Sequence, residues 1–401
     1  GNKKFSWTNS FRYNNNRFLL NSLETSGEYR PNFTDYQTYF SYRPNSKWSF
    51  DIIGNYNSNH YNFYPKTRET TFGTMDNVKS FNVYFDGQEN DIFKTTSATF
   101  GITRQFSPIS SISLIASSFT SNEKEQYDIQ SQYWLTQTES QENLGVGTFF
   151  EHARNYLKAN VNILKLILKH NIDKHNIEAG ITLKDEHIKE YSNEYEMRDS
   201  SGYSIPHTGN DLNMIYSLNA NNRINSRRIE SYIQDTWKFS STNENTLFTL
   251  NYGARISHWS YNKETIVSPR ISLVVIPSFN KNITLRLATG VYYQAPFFKE
   301  LRDTTSTNGT TTVSLNNKIK SQKSIHIIAG MDYRFNVANR PFKFSADAYY
   351  KILSNLIPYS VNNVKVVYDG RNEASGHAAG IDFKLYGEFV PNTNSWITLS
   401  L

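Results

Sequence analysis

Residues 283–301 read ITLRLATGVYYQAPFFKEL, and their first ten or so positions alternate strictly. Ile283, Leu285, Leu287, Thr289, Val291 and Tyr293 fall on one face of an extended chain. Thr284, Arg286, Ala288, Gly290 and Tyr292 fall on the other. Helical spacing fits this window poorly, whereas a strand with one apolar and one polar face fits it throughout. Pro296 then ends the ladder, because it has no N–H to donate. The rings of Tyr292, Tyr293, Phe297 and Phe298 gather where the strand stops, and amphipathic rings favour a boundary between an apolar and a wet region.

The pattern repeats in FKFSADAYYK (342–351), where Phe342, Phe344, Ala346, Ala348 and Tyr350 oppose Lys343, Ser345, Asp347, Tyr349 and Lys351. It repeats again in AGIDFKLYGEF (379–389), where Ala379, Ile381, Phe383, Leu385 and Phe389 oppose Asp382, Lys384, Tyr386 and Glu388. Such segments run to about ten residues, against a mode of roughly five or six in globular sheets. A tilted strand needs about 9–11 residues to cross a bilayer.

Connections carry the second signal. Tight turns are expected at RPNSK (43–47), SPIS (107–110), HNIDKHN (170–176), SSTNEN (240–245), PSFNKN (277–282), NVANRP (336–341) and VPNTNS (390–395). Between them lie polar stretches near 57–95, 120–150, 187–225, 297–322 and 352–374 that show no comparable alternation and read as long connections. Short and long connections in alternation describe an up-and-down membrane barrel with short periplasmic turns and long extracellular loops. A sandwich has no reason to sort its loops this way. The pattern predicts about 14–15 strands, roughly at 3–13, 33–42, 47–57, 95–106, 111–120, 150–169, 175–186, 227–239, 246–258, 267–276, 283–294, 323–335, 342–351, 376–389 and 395–401. Residues 121–170 hold no single period.

Composition agrees. Aromatics make up 15% of the chain while mean hydropathy is −0.60, so the chain is polar on average yet rich in rings. No 18-residue apolar run exists; LKLILK (164–169) and ISLVVIP (271–277) come nearest, so no transmembrane helix is expected. The first residues lack the apolar core of a signal peptide, and the biological N-terminus is expected to lie elsewhere. The net charge of +6 is spread without a basic block, which argues against a nucleic-acid partner. Zero cysteines exclude disulfides, zinc–thiolate sites and a thiol nucleophile.

SYIQDTWKF (231–239), LNYGARISHWSYN (250–262), residues 268–301 and NEASGHAAGIDFKLYGEFVPNTNSW (372–396), with MRDSSGYSIP (197–206), resemble the barrel of a TonB-dependent outer-membrane receptor of the Bacteroidetes type. The resemblance implies an all-β, antiparallel, up-and-down transmembrane barrel of about 22 strands closed by an N-terminal plug. It also implies active uptake of a scarce nutrient (siderophore, cobalamin, glycan or peptide) across the bacterial outer membrane, with energy from the TonB complex. Neither plug nor TonB-contacting segment is found, and the chain stops at Leu401 in mid-strand. Residues 1–401 are therefore expected to form a partial barrel domain, with the plug and the C-terminal strands outside it. Expected partners are outer-membrane lipid, the TonB complex through that missing segment, and a small nutrient ligand; no cofactor is expected.

No enzyme constellation is found. GYSIP (202–206) is not a nucleophile elbow, and there is no phosphate loop. His170, His175 and His187 lack metal-ligand spacing and read as surface residues. Glu300, Arg302 and Asp303 read as a solvated loop face. Strand parity turns Arg286, Tyr292, Gln294, Lys343, Asp347, Tyr349, Asp382, Lys384 and Glu388 toward the lumen, where contact with a plug is favoured over direct ligand binding. A passive porin-like channel, or a secreted β-rich ligand-binding protein, would be the alternative reading.

Overall fold

A computed structural model describes residues 4–16, 27–74, 77–199, 212–241, 245–307, 310–362 and 365–401. The elements are, in order, β1 (Phe5–Asn15), β2 (Gly27–Tyr29), β3 (Asn32–Asn45), β4 (Trp48–Pro65), β5 (Arg68–Thr74), β6 (Asn77–Ser107) and β7 (Ser110–Gln137). There follow β8 (Glu142–Ile172), β9 (His175–Asp199), β10 (Asn213–Ser240), β11 (Leu247–Trp259), β12 (Glu264–Ile276) and β13 (Ile283–Gln294). After a short 3-10 turn at Phe298–Leu301 come β14 (Arg302–Thr307), β15 (Thr310–Leu315), β16 (Gln322–Val337) and β17 (Arg340–Leu356). The last are β18 (Tyr359–Asn362), β19 (Lys365–Tyr368), β20 (Ala374–Val390) and β21 (Thr393–Ser400).

Every spanning strand pairs antiparallel with the next, in the order β1, β3, β4, β6, β7, β8, β9, β10, β11, β12, β13, β16, β17, β20, β21. These 15 strands and the smaller β2, β5, β14 and β15 make up the 19-stranded sheet. Among the described residues no ladder joins β1 to β21, so the sheet is open, a wall rather than a closed cylinder.

Turn chemistry sets one rim. Ala338 and Asn339 both have positive φ (48° and 62°), the conformation of a two-residue hairpin between β16 and β17. Asp173 and Asn392 likewise have positive φ in the turns before β9 and β21. By their shortness these turns define the periplasmic rim. Just above it stack the rings of His175, Trp237, Phe239 and Phe248, and farther round those of Tyr333, Phe335 and Phe342.

At the opposite rim the structure departs from the expectation. Residues 57–95, 120–150 and 187–225 were read as long connections, but most of each is strand. β6 and β8 run 31 residues apiece, β7 and β10 28, and β9 25. The bilayer demands an apolar face only over its own thickness. Beyond it, ladder hydrogen bonds alone keep the strand going, and the apolar signal vanishes while the strand does not. β11 and β12 behave in the opposite way and turn back at once through 260–263.

The region without a single period, 121–170, runs from the upper part of β7 through β8. Its inner positions include Ile163 and Ile167, opposite Lys184 and Gly180, so apolar side chains occupy both faces and mask the alternation. Residues 200–206 of MRDSSGYSIP and 242–244 of SSTNEN lie outside the described residues.

The core is small and sits at the upper rim. Ile224, Trp259, Leu301, Ile319 and Ile357 are buried together, with Phe298 and Tyr261 against them. Above the short β11–β12 hairpin, β15 takes the place β11 has lower down and pairs parallel with residues 217–220 of β10. Loop residues thus complete the wall.

Candidate functional site

The side of the sheet opposite the apolar stripe carries most of the expected site residues. Register places Arg286, Gly330 and Asp347 directly in line on β13, β16 and β17. Arg286 Nη2 reaches Asp347 Oδ1 at 2.8 Å, and its Nη1 reaches Asp332 Oδ2 at 2.5 Å. Lys343 Nζ joins the same Asp332 oxygen at 3.1 Å. Two cations and two carboxylates therefore form one network over three strands. Asp332 was not anticipated: the IHIIAG run (325–330) blurs the alternation, although Gly330 and Asp332 share the polar parity.

The other expected residues do not join it. Tyr292 stacks on His326 with centroids 4.4 Å apart, and the Arg270 guanidinium sits 4.3 Å from its ring centre. Gln294 lies opposite Gln322 at the top of β13. The Tyr349 ring lies over Gly380, where a Cβ would meet its hydroxyl at 2.5 Å. Asp382 is the cross-strand neighbour of Asp347, and Lys384 Nζ sits 5.8 Å from the Trp396 ring centre. Glu388 lies near the lower end of β20, where its carboxylate accepts from the N–H of Asn392 in the following turn at 3.4 Å.

Higher up, the same face becomes acidic. Glu89 and Asp91 on β6, Glu125 on β7 and Glu151 on β8 share this side, in register with Tyr127, Asn155 and Glu196. Asp91 is only 9% exposed. Burial, followed by the charge of neighbouring carboxylates, raises the carboxyl groups of both Glu89 and Asp91 well above the usual range. This patch lies in a polar stretch with no apolar alternation, so only the Glu-Asn-Asp spacing at 89–91 hinted at it.

Glu300 and Arg302 are not a solvated face. Glu300 is 6% exposed and accepts from the Phe297 N–H at 2.7 Å and from Gln322 Nε2 at 3.1 Å. Arg302 is ion-paired with Glu190, itself 4% exposed. Only Asp303 stays exposed. Leu301 and Phe298 anchor this segment in the rim core, which pulls its charges inward.

Of the three histidines, His170 Nδ1 lies 2.7 Å from Ser110 Oγ and His175 Nδ1 2.6 Å from Asp235 Oδ2. His187 sits between Asp185 and Asn225 on the outer face.

A meandering wall of long tilted strands, apolar outside and charged inside, is the wall of a transmembrane β-barrel. The model of the TonB dependent receptor-like, beta-barrel family matches residues 1–400, and the chain belongs to that family, whose place is the bacterial outer membrane. A ferric enterobactin receptor (PfeA) mutant from Pseudomonas aeruginosa is similar at TM-score 0.52 and 10% identity, over 99% of this chain and 62% of that one. The RagAB peptide importer is similar at TM-score 0.52 and 13% identity, over 100% and 48%. The outer membrane transporter YddB from Escherichia coli follows at 0.50 and 12%, over 99% and 59%. At these identities the likeness is one of fold. The chain covers less than two thirds of each of these structures. No curated protein sequence matches it.

Proposed function

We propose that residues 1–401 are part of the barrel domain of a longer importer, which draws a scarce nutrient across the outer membrane with energy from the TonB complex. The observation that carries this is the open meander of 15 spanning strands, against about 22 in plugged transporters of this kind. An open wall leaves unpaired backbone at β1 and β21, which a bilayer does not tolerate, so further strands must close it. On this reading the plug and the TonB-contacting segment lie elsewhere in the longer chain.

The Arg286–Asp332–Asp347–Lys343 network sits low on the inner wall, where a plug would rest, and plug contact is the role that fits it. Most of its charges are already matched within the wall, which suits a fixed docking surface better than a cargo site. The cargo belongs to the class handled by such receptors: siderophore, cobalamin, glycan or peptide.

The test is uptake of labelled candidate nutrients by cells that express the full-length protein, with and without an intact TonB complex. Accumulation against a gradient that stops when TonB is deleted supports the importer. Uptake that continues unchanged and only equilibrates would show a passive channel instead.

A further inference from the structure

The inner wall carries its carboxylates above the bilayer. Glu89 and Asp91 on β6, Glu125 on β7, Glu151 on β8, and Glu194 and Glu196 on β9 share one side of the sheet. Each lies at least 15 residues above the periplasmic end of its strand, whereas about 9–11 tilted residues cross the hydrocarbon. Asp91 stands directly across from Glu125, and Glu151 from Glu196. Like charges placed opposite one another destabilise a sheet unless something neutralises them.

The wall supplies little to neutralise them. Among the described residues of β6–β9, Arg198 is the inward cation at this height, and its Nη2 lies 2.6 Å from Glu196 Oε1. Arg302 reaches in from its loop but is ion-paired with Glu190. Asn155 Nδ2 donates to Glu125 Oε2 at 3.3 Å and to Glu194 Oε1 at 2.8 Å, which ties β7 to β9. With those bonds made, Asn155 Oδ1 has no hydrogen-bond partner among the described residues. Neither has Oδ1 of Asp91, whose side chain is 9% exposed and lies against Glu89. Buried acceptors without donors are costly, and here they sit beside uncompensated carboxylates. What this part of the wall lacks is a donor that carries positive charge.

Among the described residues no three of these groups converge as a metal ion requires. The carboxylates spread instead over four strands, roughly 14 Å at the spacing of a sheet. Aromatic rings lie among them: Tyr61 is the cross-strand neighbour of Asp91, and Tyr127 that of Glu89. Ring faces next to carboxylates suit ammonium and guanidinium groups and the aliphatic stems that bear them. An extended peptide sets alternate side chains roughly 7 Å apart, so a short basic peptide matches this spread with two or three cations.

We infer that the upper inner wall of β6–β9 is the cargo subsite for a basic peptide, its cationic side chains on Asp91, Glu125 and Glu194 and their stems over Tyr61 and Tyr127. This rests on the importer reading and narrows its cargo.

The experiment titrates the detergent-solubilised full-length protein with tetralysine, Nε-acetylated tetralysine, tetraglutamate and spermine, and follows binding by isothermal calorimetry. Tetralysine should bind, the acetylated peptide at least about tenfold more weakly, and tetraglutamate not at all. Glu89→Gln/Asp91→Asn should weaken tetralysine binding by about tenfold. Asp86→Asn, on the outer side of the same strand, should bind as wild type does. Equal binding of the acetylated peptide, an unchanged affinity in the double variant, or an equal loss in Asp86→Asn overturns the subsite. Spermine bound as tightly as tetralysine would show a polyamine site and overturns the peptide assignment. If the double variant loses its heat-modifiable gel migration, Glu125→Gln carries the same comparison. Uptake of labelled tetralysine, with and without TonB, separates the two readings. Binding without TonB-dependent accumulation sinks the importer, whereas TonB-dependent accumulation of another nutrient without tetralysine binding sinks the subsite alone.

Discussion

Arg286 on β13 reaches Asp347 on β17 at 2.8 Å by passing over Gly330 of the strand between them. A Cβ at position 330 would stand 2.0 Å from Asp347 Oδ1 and 3.1 Å from Arg286 Nε, so the bridge requires a bare backbone at that point. One guanidinium thereby fastens three strands, through Asp332 and Asp347 together. Its fork geometry suits two carboxylates at once, which a lysine would not match.

Arg286→Ala should therefore destabilise the wall by about 2 kcal/mol, because it strips a charged partner from two carboxylates. Arg286→Lys should recover less than half of that. The midpoint of heat-modifiable migration in detergent measures both; wild-type behaviour of the alanine variant would show that the network adds nothing.

The acidic patch predicts a pH dependence. Glu89 and Asp91 lie 18 and 16 residues above the end of β6, beyond the membrane-spanning segment. Burial first, then neighbouring carboxylates, raises the pair, which titrates at about 7 and about 6. The folded state thus keeps protons that the unfolded chain releases near pH 4.5, and stability falls as pH rises from there through about 7. The upper ends of β6 and β7 should be more protected from hydrogen exchange at pH 5.5 than at pH 8, by on the order of 1 kcal/mol after correction for intrinsic rates. Glu89→Gln should remove most of the difference, and equal protection at both values would contradict the assignment.

Arg302 and Glu190 make a sharper case. Arg302→Ala leaves Glu190, 4% exposed, without its cation, at a cost of about 3 kcal/mol. Because Arg302 opens the β14–β15 hairpin, the loss should be local. Limited proteolysis should cut near residues 302–315 in the variant while the spanning strands stay intact. Arg302→Met/Glu190→Gln, which removes both charges, should resist cleavage nearly as well as wild type.

Leu287 and Ala288 are neighbours in sequence but face opposite ways on β13, Leu287 at 57% exposure on the apolar stripe. Lys at position 287 would put a charge in hydrocarbon and should cost about 2–4 kcal/mol in folding from denaturant into bilayers. Lys at position 288, on the charged side, should cost under about 1 kcal/mol. Equal costs would mean that the stripe does not face lipid.

Legibility followed the bilayer. Where the chain crosses it, one face must be apolar, and the parity of Arg286, Lys343 and Asp347 could be read directly. Asp332 escaped because Ile327 and Ile328 interrupt the pattern beside it. Above the bilayer nothing forces alternation, so the upper halves of β6–β10 resembled loops, and Glu89 and Asp91 went unremarked with them. Glu300 and Arg302 were misread because the segment they flank is anchored through Leu301 on Trp259, 41 residues before Glu300, and on Ile319, 17 residues after Arg302.

Alternating hydrophobicity, strand length and turn residues such as Asn339 and Asn392 determined by themselves that this chain builds a membrane wall of about 15 strands. Those signals are local, each written within a dozen residues. Which carboxylate meets Arg286, which face the carboxylates of β6–β9 share, and how β15 substitutes for β11 against β10 were decided only by tertiary structure. Register and shear between strands distant in sequence bring those groups together, and no single strand encodes its neighbour's offset.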